Sequence, residues 1–553
     1  MSRGAFAVLG AVGLLAGAVG WYLSSTPTRP MADGPNVLIL LWDTTRADKM
    51  SLYGFPKPTT PNIDRFAQEA VVFDRAISPA MWTPPSHASL FTGFAPTHHG
   101  VEATNKWLDS YHVTLAEWLG ESGYDTYAFS ANPFVSKDTN LTQGFDVSEN
   151  AFAGDWKREA RKATKAKFID GDASTDISPD WKAPPGQNAS GLAHGFKEAA
   201  GVAHMALVRW ITERDEPERP WFAFLNMMEV HIPRVPSLES RKVVMTDAQI
   251  ATSLKTDVAQ INLLAHTFGK KLYTPEEIAA INGVYEAALI DMDRETGALL
   301  DDLRAQGLLE NTVVILTADH GDNLGDHGMF GHKYDVYDTL LHVPLLIWYP
   351  DQLKPRRVAT PVSNLNLFTT ILDLVGIAPP DTEPESHGSL LTDAAGPVFS
   401  ELNETTPISI QRVAKTYGLD DASKYIRSFR AVEVDGWKLI RASDNAHELY
   451  DLRADPGELN NLYAAEPARG QEMISLIDQW LTTVKPYDCG KRTEEDKHKP
   501  ANNADVAGLQ ALGYVDGEEG DEAAVPGLPN RAVSKALHKR DEDEEQPCDP
   551  KAP

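Results

Sequence analysis

The sequence predicts an α/β protein with a large domain on a mainly parallel sheet, followed by a small antiparallel sheet with one packed helix. Three observations carry this. Short, uninterrupted apolar runs recur through the first part of the chain, as expected of strands covered on both faces. Long helical stretches alternate with them. Beyond Arg430 the rhythm changes to strand, turn, strand.

The runs Asn36–Trp42, Trp221–Met227, Thr312–Thr317 and Pro344–Tyr349 are the strands of the large sheet. Leu192–Arg214 and Glu276–Gly307 are the helices between them. In the second, Ile281, Val284, Leu289, Met292, Leu299, Leu300 and Leu303 form one stripe at helical spacing. The smaller unit contains Arg430–Arg441, turning at Asp435-Gly436, then the strand Glu448–Leu452 and a helix over Gly470–Val484. Residues 155–190 are polar, with Pro184-Pro185-Gly186, and read as a surface insertion.

Both ends differ from this body. Gly4–Leu23 follows Arg3 and carries no charge, and its 20 residues are long enough to span a bilayer as a helix. A cleaved signal peptide fits equally well, and either reading exports the rest of the chain. Residues 516–553 hold eleven acidic and five basic residues with five prolines and no apolar periodicity, so a disordered tail is expected. The resulting division is 1–24 signal or single anchor, 25–34 tether, 35–380 large domain, 381–515 C-terminal subdomain, and 516–553 acidic tail.

With 51 Lys and Arg against 79 Asp and Glu, the chain carries a net −28. That balance repels phosphate backbones and argues against nucleic-acid partners. Two cysteines, Cys489 and Cys548, are too few for a disulfide scaffold, a Cys-rich zinc site or an iron–sulfur cluster. They could pair with each other in an oxidising compartment or stay as thiols.

In open α/β sheets, sites gather beyond the carboxyl ends of strands. Here the first strand ends in Asp43-Thr44-Thr45-Arg46, the run 221–227 leads into Glu229 and His231, and the run 312–317 leads into Asp319-His320-Gly321-Asp322. Asp43, Asp319 and His320 could share one divalent ion, since oxygen and nitrogen donors without thiolate suit a hard or borderline metal. Thr83 opens a stretch, Ala88–Gly93, that reads as helical. A hydroxyl at such a start either sits among free N–H groups suited to an oxyanion or simply caps the helix.

These residues resemble the sulfatase family of the alkaline-phosphatase superfamily. The family signature, a nucleophile then x-Pro-Ser-Arg and Leu-x-Thr-Gly, is similar to Thr83-Pro-Pro-Ser-His-Ala-Ser-Leu-Phe-Thr-Gly93. Asn36-Val-Leu, Asp43–Asp48, Tyr53-Gly54, Thr60–Asp64 and Pro96–Gly100 follow in the family's order. So do Leu316–Gly321, Gly325–Gly328, Lys333, Tyr337-Asp338, Val343-Pro344, Glu448–Leu452, Asp455–Glu458, Asn461-Leu462 and Ala511–Tyr514.

The resemblance implies an alkaline-phosphatase-like fold and a metal-dependent hydrolase of sulfate or phosphate esters. It implies that Asp43, Thr83, Asp319 and His320 bind the ion, which is calcium in most sulfatases and often manganese, magnesium or zinc in phosphate-cleaving relatives. It gives Thr83, His231 and Lys333 catalytic positions, with His231 a possible general acid, and places Arg46, His87 and Asn132 near the substrate anion. Arg46 could equally support the metal loop. His327 and His332 are left between site and packing, and a second ion on Glu229 and His231 is the weaker reading.

The departures matter as much. Sulfatases carry Cys or Ser, oxidised to formylglycine, where this chain has Thr83. His87 replaces the signature arginine, and one Asp stands where many members have two. The expected substrate is therefore a small-molecule, glycan or lipid ester, met outside the cell, with membrane contact only through an uncleaved N-terminal anchor. A phospho-head-group transferase and a non-catalytic binding protein are the alternatives.

Overall fold

The computed structural model describes residues 32–168, 198–378, 388–392 and 396–497 apart from 404, 406, 420, 421, 423 and 424. The N-terminal run expected to direct export, most of the expected tether, residues 169–197 of the polar insertion and its neighbour, Ala511–Tyr514, the acidic tail and Cys548 lie outside these residues.

Eight strands make the large sheet: β1 (Asn36–Trp42), β2 (Val71–Phe73), β3 (Asp125–Ser130), β4 (Val147–Asn150), β5 (Trp221–Met227), β6 (Thr312–Thr317), β7 (Leu345–Trp348) and β8 (Arg356–Val358), in spatial order β8-β2-β7-β6-β1-β5-β3-β4. Every pairing is parallel except those of β7, which runs antiparallel to both β6 and β2. The apolar run of β1 is explained by its two covered faces. Leu38, Leu40 and Trp42 enter one core, and Val37, Ile39 and Leu41 enter the other.

Helix α1 (Thr83–Thr92) includes Thr83–His87, the residues expected to open it, and is buried along its whole length. Helix α2 (Ala199–Glu213) and helix α3 (Pro275–Ala305) cover the first core. Thr274 and Glu277 start α3 with a reciprocal capping box, and Pro275 occupies its first turn, where no N–H is needed. Leu289, Met292, Leu299, Leu300 and Leu303 of the expected stripe are buried in this core, and Trp42 Nε1 donates to Thr296 Oγ1 across it at 3.0 Å. The polar stretch after Gly154 is helical through Phe168.

The small sheet is β9 (Val398–Leu402), β10 (Phe429–Val434), β11 (Trp437–Ala442) and β12 (Glu448–Asp451), antiparallel throughout. Asp435 and Gly436 both have positive φ, 51° and 73°, as a two-residue hairpin turn requires. One face of this sheet packs Val432, Leu439 and Leu449 against Met473 and Ile477 of α4 (Pro467–Thr483). The other face carries Ala431, Ile440 and Tyr450 onto Met81 and Trp82, the residues that lead into α1. The C-terminal unit thus backs the start of the helix that carries Thr83.

Candidate metal and ester-hydrolysis site

Strand register assembles the site. In the parallel pairing of β1 with β6, Leu41 lies opposite Thr317, so two residues further along each strand Asp43 and Asp319 become neighbours. On the other side of β1, Leu41 lies opposite Asn226, which in turn lies opposite Ser130 of β3, two residues before Asn132. Donor atoms of Asp43, Asp319 and His320 lie within 4.8 Å of one another, and all three residues are buried.

The loops around these ligands are tightly specified. Thr44 has φ 59°, a costly backbone conformation for a β-branched residue. It turns its N–H onto Asp319 Oδ1 at 3.1 Å. Tyr285 of α3 holds the turn by donating to Thr44 O at 2.8 Å and accepting from Arg46 N at 2.9 Å. On the second loop, a Cβ at Gly321 would collide with the carbonyl of Thr339, so glycine is required directly after His320.

Each of these three side chains is oriented by hydrogen bonds to its other atoms. Asp319 Oδ1 accepts from Thr44 N and from His320 N at 2.9 Å. Asp43 Oδ2 accepts from Asn132 Nδ2 at 2.8 Å and Asn226 Nδ2 at 3.2 Å. His320 Nδ1 faces the carbonyl of Gly321 at 2.8 Å, so it carries the proton and presents Nε2 to the cluster. The remaining carboxylate oxygens, Asp43 Oδ1 and Asp319 Oδ2, are buried without a hydrogen bond, with His320 Nε2 3.2 Å from the latter. Two buried anionic oxygens facing an imidazole nitrogen are the donor set a divalent cation requires.

Thr83 Oγ1 lies 3.3 Å from His320 Nε2 and 3.4 Å from Asn132 Nδ2. Trp82, not Thr83, is the N-cap of α1, so the simpler reading of Thr83 as an ordinary cap does not hold. Ser78 and Ser86 both donate to the carbonyl of Asp319, which ties the loop after β6 to the start of α1. His87, one turn further on, bonds the carbonyl of Thr83 through Nδ1 at 2.9 Å and lies 3.4 Å from Asn226.

The other expected site residues are placed as follows. Arg46 is buried and bound to Asp48 at 2.7 Å, Asp326 at 2.6 Å and the carbonyl of Asp322 at 3.1 Å, joining the loop after β1 to the loop after β6. His231 is buried, with Nδ1 on the carbonyl of Ile232 and its ring 5.5 Å from that of His332. His332 stands 4.4 Å from the ring of His320, oriented by Asp322 Oδ1 at 2.9 Å, while Arg234 pairs with the same Asp322. Lys333 Nζ donates to Ser409 at 3.1 Å. Burial, with Arg412 and Lys106 adding like charge, pushes its pKa down to about 7. His327 stacks on Tyr337 at 3.8 Å. Glu229 accepts from Ala200 N at 2.9 Å.

Asn226, Tyr285 and Arg234 had no place in the sequence reading, and Asp322 entered it only as the end of the run Asp319–Asp322. A single amide inside the apolar run Trp221–Met227 was the available signal for Asn226; Tyr285 lay hidden in an amphipathic helix.

In the ion-free chain, burial and the neighbouring Asp319 push Asp43 up to about 7. For His320 burial works downward, but Asp319 and Asp43 outweigh it and raise the pKa to about 9. Asp319 is held well below the usual carboxylate range, because His320 and His87 overcome its burial. Both raised groups hold protons in the folded state that the unfolded chain releases. Stability is thus lost as pH rises, from about 4 to 7 through Asp43 and from about 6.5 to 9 through His320. A cation needs both groups deprotonated, so its apparent affinity grows across the same range. Melting curves with EDTA or with a divalent ion are expected to diverge increasingly from pH 6 to pH 9. A constant separation would contradict this assignment.

Residues 35–377 match the family model described as Sulfatase, which covers more than half of the chain. The chain belongs to the sulfatase family. Residues 325–485 also match the model of the N-sulphoglucosamine sulphohydrolase C-terminal region, which contains the small sheet and α4. Among similar proteins, an N-acetylglucosamine-6-O-sulfatase of Bacteroides thetaiotaomicron is 24% identical over 84% of this chain and 89% of its own. Arylsulfatase K of Bos taurus is 25% identical over 82% of each chain. Among solved structures, a phosphonate monoester hydrolase of Agrobacterium radiobacter has a TM-score of 0.61 at 23% identity, covering 82% of this sulfatase-family chain and 96% of that one. This likeness shows the fold. Family membership makes the protein a hydrolase acting on sulfuric or phosphoric esters.

Proposed function

We propose that the protein is an exported, divalent-metal-dependent esterase that uses Thr83 as its nucleophile and acts on phosphoric esters in preference to sulfuric ones. The observation that carries this reading is the Thr83 hydroxyl at the start of α1, 3.3 Å from His320, whose donor atoms cluster with those of Asp43 and Asp319. Formylglycine arises from Cys or Ser, and the only cysteines are Cys489 and Cys548. The export half rests on the uncharged run Gly4–Leu23.

Asp43, Asp319, His320 and Thr83 would hold a divalent cation, whose Lewis acidity would lower the hydroxyl pKa and offset charge on the ester oxygens. The Thr83 hydroxyl loses its proton to solvent as Oγ bonds to phosphorus and the bond to the leaving oxygen breaks. That oxygen takes its proton from His231, which solvent then reprotonates. Water then cleaves the phospho-threonine, releasing phosphate and restoring the hydroxyl. Asn132, bonded to both Asp43 and Thr83, keeps nucleophile and ligand in register.

The test is a panel of aryl phosphomonoesters, phosphodiesters and sulfates, each assayed with manganese, magnesium, zinc and calcium. Phosphoester turnover is expected to exceed sulfate turnover by about tenfold or more, a difference of about 1.4 kcal/mol in the barrier. Faster sulfate cleavage would overturn the substrate preference, and turnover of none of them would overturn the proposal.

A further inference from the structure

The carboxylates of the cluster share a feature that the family assignment does not contain. Each has one oxygen occupied by two donors, while the other oxygen is unpartnered on Asp43 and faces the His320 imidazole, at 3.2 Å, on Asp319. On Asp43, Oδ2 accepts from Asn132 and Asn226, and Oδ1 is unpartnered. On Asp319, Oδ1 accepts from two backbone N–H groups, and Oδ2 lacks a hydrogen bond. A carboxylate oxygen has two lone-pair sites, so the doubly bonded oxygens have no capacity left.

The orientation of Asn226 is fixed by the same network. His87 Nδ1 faces the carbonyl of Thr83, which can only accept, so Nδ1 carries the proton and Nε2 is an acceptor. That nitrogen lies 3.4 Å from Asn226 Nδ2, while Ser130 Oγ lies 3.5 Å from Asn226 Oδ1. The amide therefore points its NH2 at Asp43. Reversed, its oxygen would face the carboxylate. The chain Ser130–Asn226–His87–Thr83 is buried throughout.

We propose that Asn226, locked by His87 and working with Asn132, is a positioning residue that restricts Asp43 to a single donor oxygen, so that the cluster of two one-oxygen carboxylates and an imidazole selects a borderline ion such as manganese or zinc over calcium. The inference rests on the reading of this cluster as a cation site. Calcium takes six to eight oxygen ligands and commonly chelates a carboxylate through both oxygens. Four-coordinate and imidazole-containing sets favour the borderline ions instead. Substitution of a group that orients a ligand typically changes metal affinity by about 10- to 100-fold.

The experiment uses the full chain stripped with EDTA. Binding of manganese, zinc and calcium, each alone, is measured by titration calorimetry, with electron paramagnetic resonance for manganese. The variants are Asn226→Ala and Asn226→Ser, with apo melting temperatures recorded. Wild type is expected to bind one manganese or zinc ion at least about 100-fold more tightly than calcium. In either variant the manganese affinity is expected to fall by about tenfold or more, and the ratio over calcium to narrow as Oδ2 becomes available. Calcium binding as tightly as manganese in wild type would overturn the inference without touching the cation site. So would folded variants with an unchanged ratio. Binding of no ion at all would overturn the cation site itself, and with it the proposed function. The wild-type selectivity keeps the test decisive if a variant fails to fold.

Discussion

Replacing Thr83 by alanine is expected to lower kcat for ester cleavage by about a thousandfold or more, with the fold intact. The Thr83 side chain is almost completely buried, and the two partners of its hydroxyl, His320 and Asn132, are both at the site. The helix does not depend on it as a cap. Substitution removes the attacking oxygen and one ligand while leaving Asp43, Asp319 and His320 in place. What survives is catalysis by water placed in the same electrostatic field, which in other nucleophile knockouts amounts to a small residue of the full rate. Steady-state kinetics, with mass spectrometry of quenched wild-type reactions for a phospho-threonine adduct, checks this. A variant within about tenfold of wild type would show that water, and not Thr83, attacks.

Asp319→Asn is expected to be as damaging by a different route. The amide oxygen can still accept from Thr44 N and His320 N, so the loops keep their shape. An NH2 group then replaces the unpartnered oxygen, and the negative charge disappears. Loss of a charged ligand is expected to weaken ion binding by about a thousandfold and to remove catalysis with it. Asp319 is also the leading carboxylate that raises His320, so the imidazole pKa should fall back toward its ordinary range. Elemental analysis of the dialysed protein and the melting-temperature increment on adding metal are the measurements. A variant that retains one equivalent of ion through dialysis would rule out Asp319 as a ligand.

Much of the α/β architecture was legible because its signals are local. β1, β5, β6 and β7 are continuous apolar runs, and continuous burial on both faces leaves no other pattern. Asp435-Gly436 encodes its turn because both positions need positive φ. The antiparallel direction of β7 was not legible, since a strand's own residues do not record the direction of its neighbours. Thr83 was legible as the opening of α1, and Pro84 and Pro85 fit there because they occupy its first turn, where no N–H is required.

The same division holds at the site. The sequence by itself determined the chemical inventory: two carboxylates and an imidazole after two apolar runs, a threonine at the helix start, and no cysteine near either. Those are properties of residue identity and order. Only the tertiary structure decided how these groups act on one another. Strand register set Asp43 beside Asp319, and Tyr285 clamped a strained Thr44. Arg46 was committed to Asp48 and Asp326, and Asn226 was turned by His87 toward one oxygen of Asp43. The physical reason is that hydrogen bonds and ion pairs act over about 3 Å. Residues separated by a hundred positions or more come within that range only when the sheet has formed.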